Sequence, residues 1–541
     1  MDTMTSQDRD FYKKMYEDCY NKTVFGALER AVAENPDKEV MYDTEYRITY
    51  RELRDKAERL AQSLLQMGVK QGDRIAVSLP NWHEFVEIYF AIAKIGAVIV
   101  PMNTRYQAHE VEYILKNSGA EVVFCTESFG GVPHLQHFQQ LKESALQDLK
   151  IVTVRHREPG YDHYDDIVQQ GGERQVSEPT IRPEEDVFTI LYTSGTTGTP
   201  KGAMLTHANV VHTGTITAEY MKCTRDDVFL VAVPVFHVFG MVPSILTAVA
   251  AKGSMVLMPE YKAEAALTLI EQEGITVHHG VPTMFILELN HPDFNKYDLS
   301  TLRTGIIAAA PCPAEVVKRI RLDMGCNIVV CYGSSETSAT LTMTEFDDDD
   351  QLRSETVGKT LRGAEVKIVN DQRQEVAPGV VGEIACRSFG VMKGYYNMPE
   401  ATREAMDEEG WFYSGDMGTM DEKGYVRIVG RKKEMIIRGG YNIYPTEIED
   451  IFYQHPAVLE VAIVGLPDSV LGEISCAAIT PKENVEVTEE ELKTFIQGKV
   501  ADYKVPDKVI FVSQIPKTAS GKIKKVALRE ELLNDLREEL K

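Results

Sequence analysis

At 541 residues the chain is too long for one hydrophobic core and long enough for about three or four. Hydrophobic residues at 43% and charged residues at 26%, with Gly and Pro at ordinary levels, exclude collagenous and disordered classes. A formal charge of −24 excludes a non-specific binder of nucleic acid or anionic membrane, because phosphate surfaces demand clustered Lys and Arg.

The opening "MDTMTSQDRDFYKKMYEDCY" mixes both charge signs without an apolar segment, so no signal peptide is expected. Thr49 and Glu52 form a capping-box pair ahead of Leu53, Ala57, Leu60, Ala61, Leu64 and Leu65, and Gly68 closes the run, predicting an amphipathic helix. "DRIAVSLP" then reads as a buried strand, "WHEFVEIYFAIAKIGA" as a helix ending at Gly96 and "VIVPM" as a strand, an alternation that implies parallel α/β structure. "DVFTILYTSG" and "DVFLVAVPVFHVFG" repeat the theme. "GAEVKIVNDQRQEVAPGVVGEIACRS" reads as consecutive strands and predicts a small β subdomain over about 355–425. The run Asp347–Asp350 is expected to be a solvated loop. A basic stretch then places the main boundary at 432–433, giving a large domain over 1–431 and a small α+β domain over 434–541 ("VLEVAIVGLP", "TEEELKTFIQGKV", "DKVIFVS").

No apolar run reaches the roughly 18 residues of a membrane span. The eight cysteines (Cys19, Cys125, Cys223, Cys312, Cys326, Cys331, Cys386, Cys476) lack metal-type spacing and read as reduced thiols in a cytoplasmic protein. The final "EELK" is no peroxisomal address.

The chemistry concentrates first in "LYTSGTTGTPKGAMLTH", residues 191–207. Gly195, Gly198 and Gly202 allow close backbone approach, Thr193, Ser194, Thr196 and Thr197 supply hydroxyls, and Lys201 supplies a point charge, which suits a phosphate cradle. The spacing is not that of a Walker A loop, so a standard P-loop kinase or ATPase is disfavoured.

This segment resembles the phosphate-loop signature of the acyl-adenylate-forming superfamily, which includes acyl-CoA synthetases, adenylation domains of peptide synthetases and beetle luciferases. Four further segments match that family in order: "CYGSSETS" (331–338), "GWFYSGD" (410–416), "GRKKEMIIRGGYNIYPTEIE" (430–449) and "PKTASGKIKK" (516–525). The resemblance implies a large domain of mainly parallel α/β layers with a mobile C-terminal domain, and a two-step reaction. A carboxylate attacks the α-phosphate of ATP to give acyl-AMP and pyrophosphate, with Mg²⁺ as cofactor; a thiol, usually that of coenzyme A, then displaces AMP.

Carried over residue by residue, the resemblance assigns Thr193, Ser194, Gly195, Thr196, Thr197 and Lys201 to the phosphates, and Thr196 and Glu336 to Mg²⁺. Tyr332 would stack on adenine, flanked by Gly333. Ser335 stands where the family usually has threonine, keeping the hydroxyl. Ala309 and Ala310, in "AAAP", replace a more usual glycine-containing segment along the nucleotide. Asp416 and Arg431 would contact the ribose. Lys522 would bridge the attacking carboxylate and the α-phosphate, Lys433 would be the hinge in an extended interdomain link, and Gly439 and Gly440 would let the pantetheine arm pass. His237 matches the residue between carboxylate and thiol, with Phe236, Val238, Phe239 and Met241 as the acyl wall. No Asp or Glu occurs from Val228 to Pro259, which disfavours an amino acid substrate, since a buried ammonium needs a counter-charge.

The implied function is a cytoplasmic fatty acyl-CoA synthetase, with an aryl- or alicyclic-acid ligase as the near alternative and a homodimer as a possible assembly. A non-catalytic acyl or nucleotide binder would be expected to lose Lys522 or Glu336, and both are present. A peptide-synthetase module would be followed by a carrier domain. Light emission with luciferin and ATP would identify a luciferase.

Overall fold

The computed structural model describes residues 22–44, 46–171, 179–193, 200–310, 312, 314–482, 485–517 and 523–539. Its first long helix is Tyr50–Gln66, begun by Thr49. The Thr49 hydroxyl accepts from the Glu52 N–H at 3.3 Å, and the Glu52 carboxylate accepts from the Thr49 N–H at 2.7 Å, satisfying two donors of the first turn. Leu53, Ala57, Leu60, Ala61 and Leu64 face inward from this helix and are fully buried.

Alternating strands and helices build two large sheets. The first runs Gly394–Tyr395, Lys201–Thr206, Val187–Thr193, Val98–Pro101, Arg74–Ser78, Val122–Cys125, Lys150–Thr153 and Asp162–His163. It is parallel from Val187–Thr193 onward and antiparallel at the Lys201 and Gly394 strands. The second sheet has nine strands, with parallel Asn327–Tyr332, Thr304–Ile307, Val277–His278, Val228–Val231 and Ser254–Leu257 at its centre. Helices cover these near-continuous apolar strands, as buried parallel sheets require.

An antiparallel four-stranded sheet follows: Ala364–Val369, Gly382–Ser388, Phe412–Met420 and Val426–Arg431. The chain leaves it between the second and third strands and adds Gly394–Tyr395 to the edge of the first large sheet. The small C-terminal domain has its own sheet, led by the long hairpin Val458–Asp468 and Gly472–Pro481. Its core includes Ile436, Ile448, Phe452, Ile463, Ile479 and Leu492. Among the described residues no helix is long and apolar enough to cross a membrane.

Three expectations are corrected. Asp347–Asp350 is not a solvated loop: Asp348 is buried and accepts from the Tyr425 hydroxyl at 2.6 Å. Asp349 caps the helix Asp350–Glu355 by accepting from the Leu352 N–H at 2.8 Å, and Asp350 pairs with Arg321. "DVFLVAVPVFHVFG" is a strand only over Val228–Val231; it leads into a wide π-helical turn, Gly240–Leu246, that contains Pro243. The link at 432–433 is a tight turn rather than an extended segment, because the Arg431 carbonyl accepts from the N–H groups of Glu434 at 3.0 Å and Met435 at 3.1 Å.

Candidate active site

The hairpin Val187–Thr193 and Lys201–Thr206 brings Thr193 opposite Lys201, and the Thr193 hydroxyl donates to the Lys201 carbonyl at 3.4 Å. Ser194, Gly195, Thr196 and Thr197 lie outside the described residues. Gly202 is set by packing: a Cβ there would come within 2.6 Å of the Ile190 side chain. The Lys201 ammonium lies 5.0 Å from the centroid of the Tyr395 ring, a cation–π contact.

Tyr332 ends the parallel strand Asn327–Tyr332, at a carboxyl end where open α/β sheets hold ligands. The chain turns sharply there. A Cβ at Gly333 would sit 2.0 Å from the Ala339 carbonyl oxygen, so only glycine fits. Ser335–Thr337 form one tight helical turn carrying Glu336, followed by Ser338 and Ala339 at φ of +56° and +85°. Two L-residues in the left-handed region mark a backbone held by its surroundings. The Ser338 hydroxyl, for example, donates to the Gly390 carbonyl at 2.7 Å. Ser335 and Glu336 are half-buried in this turn. The Glu336 Oε1 accepts from the Tyr395 hydroxyl at 3.0 Å. Burial, then the adjacent Glu336 carboxylate, pushes the Tyr395 phenol up, keeping it a proton donor.

A second constellation joins two sheets. The Tyr332 hydroxyl donates to Asp416 Oδ2 at 2.7 Å, and Arg431 Nε lies 3.1 Å from Asp416 Oδ1. Asp416 and Arg431 are cross-strand partners, which fixes this pairing. The Asp416 carboxylate beside it pushes the Arg431 guanidinium up, and burial pushes the Tyr332 phenol up. A near-buried carboxylate is thus held next to the aromatic face assigned to adenine.

Ala309 and Ala310 follow the strand Thr304–Ile307, and Ala309 has φ of +74°. The family's more usual glycine would adopt that angle without strain. Around His237, Val238, Phe239 and Met241 are buried and Phe236 is half-buried. His237 Nδ1 accepts from the Phe239 N–H at 3.3 Å. Phe239 stacks on His279 at 5.9 Å between ring centroids. His279 is a residue that sequence reasoning missed. Its Nδ1 accepts from the Ile306 N–H at 3.0 Å and its Nε2 donates to the Pro243 carbonyl at 3.1 Å, so one neutral ring ties the π-helical turn to the central sheet. Burial pushes its pKa down to about 3.

Gly439 and Gly440 form the tip of the hairpin Ile436–Arg438 and Tyr441–Ile443, with φ of +56° and +87°. Two consecutive positive angles are what a two-residue hairpin turn requires, so the turn itself accounts for both glycines. Lys433 is exposed in the turn after Arg431, while Lys432 pairs with Asp371 at 2.9 Å and Glu383 at 3.2 Å. Lys522 lies outside the described residues. Among the described residues, the one grouping of three potential metal ligands, Asp43, His83 and Glu84, has the Arg155 guanidinium paired to both carboxylates, so its charge is already met.

Residues that the motifs nominate thus fall in two clusters: Lys201 and Glu336 joined through Tyr395, and Tyr332 with Asp416 and Arg431. The chain belongs to the AMP-binding enzyme family: that family's model matches residues 28–396, and the model of the AMP-binding enzyme C-terminal domain matches 447–522. It is an AMP-forming acid–thiol ligase of the acyl-CoA synthetase class. It is 43% identical over 95% of its length to YngI of Bacillus subtilis (strain 168), provisionally named an acyl-CoA synthetase and covered over 97%. It is 36% identical to the human mitochondrial medium-chain acyl-CoA ligase ACSF2 over 95% of this chain and 88% of the relative. The structure resembles ATP-bound MatB from Rhodopseudomonas palustris with a TM-score of 0.85 at 29% identity, over 94% of this chain and 99% of that one. The apo form of MatB gives 0.76 at 30% identity with the same coverage. The anthranilate CoA ligase AuaEII with anthranoyl-AMP gives 0.85 at 27% identity, covering 95% and 97%.

Proposed function

We propose that the chain converts a medium- or long-chain fatty acid to its CoA thioester through an acyl-adenylate, in the cytoplasm. One observation carries the substrate class: the wall Phe236–Met241 is apolar, mostly buried and free of carboxylates over the whole Val228–Pro259 segment. An alkyl chain gains roughly 0.8 kcal/mol per methylene buried on such a wall, and an ammonium would find no counter-charge. The human relative's name, a medium-chain ligase, supports the same class.

In the first half-reaction the fatty carboxylate oxygen attacks the α-phosphorus and pyrophosphate leaves. A carboxylate is a weak nucleophile facing a polyanion, so the site's work is alignment and charge neutralisation. Lys201 and the 193–197 hydroxyls would hold the leaving phosphates. Tyr332 would cover adenine, and Asp416 with Arg431 would fix the ribose. Lys522 would reach the α-phosphate from the small domain. The residues fit a hard cation: Glu336 offers carboxylate oxygens next to Tyr395, whose ring contacts Lys201, and would hold Mg²⁺ together with Thr196 and phosphate oxygens. When bound, the ion neutralises phosphate charge. In the second half-reaction the CoA sulfur attacks the acyl carbonyl carbon and AMP departs with the bonding electrons, His237 lying at the passage between the two.

AuaEII, an anthranilate CoA ligase, is among the similar structures, which makes an aromatic acid the second reading. CoA-dependent AMP release across straight-chain acids from acetate to stearate, with benzoate and coumarate, decides. Medium or long chains should give the highest kcat/KM; a win for benzoate or coumarate would move the enzyme to the aryl class.

A further inference from the structure

The segment 390–396 lies between two strands of the small β sheet, yet it bonds elsewhere at almost every step. On one side it grips the strand that begins at Lys201: the Lys393 N–H donates to the Met204 carbonyl at 2.8 Å and the Tyr396 N–H to the Gly202 carbonyl at 2.8 Å. On the other side it grips the strained turn, where the Met392 N–H donates to the Glu336 carbonyl at 2.7 Å and Ser338 donates to the Gly390 carbonyl. Tyr395 stands at the centre of this clip. Its own N–H is held by the Thr402 hydroxyl at 2.9 Å, its ring lies under the Lys201 ammonium, and its hydroxyl donates to Glu336 Oε1. The residue is 8% exposed, so packing restricts its side chain.

We propose that Tyr395 is a positioning residue that couples the phosphate lysine to the metal-binding carboxylate. Its hydroxyl occupies one oxygen of Glu336 and so fixes the orientation of the carboxylate, while its ring holds the Lys201 charge. The inference rests on the reading of Glu336 as the Mg²⁺ ligand. A hydrogen bond to a charged group is worth enough that its loss should weaken metal binding about tenfold. Removing only the hydroxyl leaves the ring, and with it the contact to Lys201.

The test is equilibrium binding of Mn²⁺, followed by electron paramagnetic resonance, to the full chain with a non-hydrolysable ATP analogue. Tyr395→Phe should weaken Mn²⁺ about tenfold while analogue binding without metal stays within about twofold. Combining Tyr395→Phe with Glu336→Gln should add nothing to the loss caused by Glu336→Gln alone, because the tyrosine acts only through that carboxylate. A general packing defect would instead add. If Glu336→Gln leaves Mn²⁺ affinity unchanged, the metal-ligand reading fails. If Glu336→Gln weakens it and Tyr395→Phe does not, the coupling fails alone. Fluorine NMR of a fluorotyrosine at position 395 asks the same question without removing the hydroxyl, should Tyr395→Phe not fold. Its resonance should move when Mg²⁺ joins the analogue complex, and a stationary resonance overturns the proposal.

Discussion

Lys433→Pro probes the junction between the two domains. Lys433 is the third residue of a turn in which the Arg431 carbonyl accepts from both the Glu434 and Met435 N–H groups. Neither Lys432 nor Lys433 has a positive φ, so the turn needs Lys432 in the right-handed helical region. A proline at 433 excludes that region for the residue before it. Both hydrogen bonds are then lost, and at about 1 kcal/mol net each the observed domain orientation loses about 2 kcal/mol, a population shift of about thirtyfold. The observed orientation is taken as the one used in the nucleotide half-reaction. An extended link would have tolerated the proline and kept adenylation; the turn reverses that expectation. Carboxylate-dependent exchange of pyrophosphate into ATP should therefore fall, by at most about thirtyfold, while thioester formation from supplied acyl-AMP and CoA stays within several-fold of wild type. The two rates are measured separately on a variant whose melting transition matches the parent. Equal loss of both, or selective loss of thioester formation, would refute the reasoning.

Ala309→Val places a β-branched residue at φ of +74°, so it should lower the melting temperature and raise the ATP KM, whereas Ala309→Gly should do neither; equal behaviour of the two would remove the backbone argument. His207 and His279 are buried with pKa values pushed down to about 3, below the unfolded value near 6.5, so their stability contribution is complete above pH 6.5 and shrinks as pH falls toward 3. Each costs about 2 kcal/mol by pH 5, and His279→Gln should reduce the slope of urea-unfolding free energy against pH by one proton; an unchanged slope refutes it. Phe239→Ala should cost about 3 kcal/mol of stability and shift the chain-length profile toward longer acids, and an unaltered profile would take Phe239 out of the acyl wall. Lys522→Ala should lower acyl-AMP formation about 100-fold and spare thioester formation from supplied acyl-AMP; a wild-type adenylation rate would leave the lysine as solvated surface.

The sequence by itself determined the features that depend on neighbours a few residues apart. The Thr49–Glu52 capping box predicts the helix that the structure contains, and the apolar runs at "DRIAVSLP" and "VIVPM" are the parallel strands Arg74–Ser78 and Val98–Pro101. The ordered motifs likewise identified the family and named Lys201, Tyr332, Glu336 and Asp416 before any geometry was known. Only the tertiary structure decided how those residues meet. Tyr395 belongs to no motif singled out in the sequence, and its contacts to Lys201 and Glu336 exist because a chain excursion from one sheet adds a strand to another. The acidic run at 347–350 has the composition of a solvated loop, yet the Tyr425 hydroxyl and a helix N-terminus turn two of its members into structural acceptors. "AAAP" showed a departure from the family, but its consequence is a dihedral angle, which no residue name contains. Capping and periodicity are short-range and leave their mark in the order of residues. Charge pairing, burial and backbone strain at a site depend on which distant segments the sheets bring together, and that is settled only when the whole chain packs.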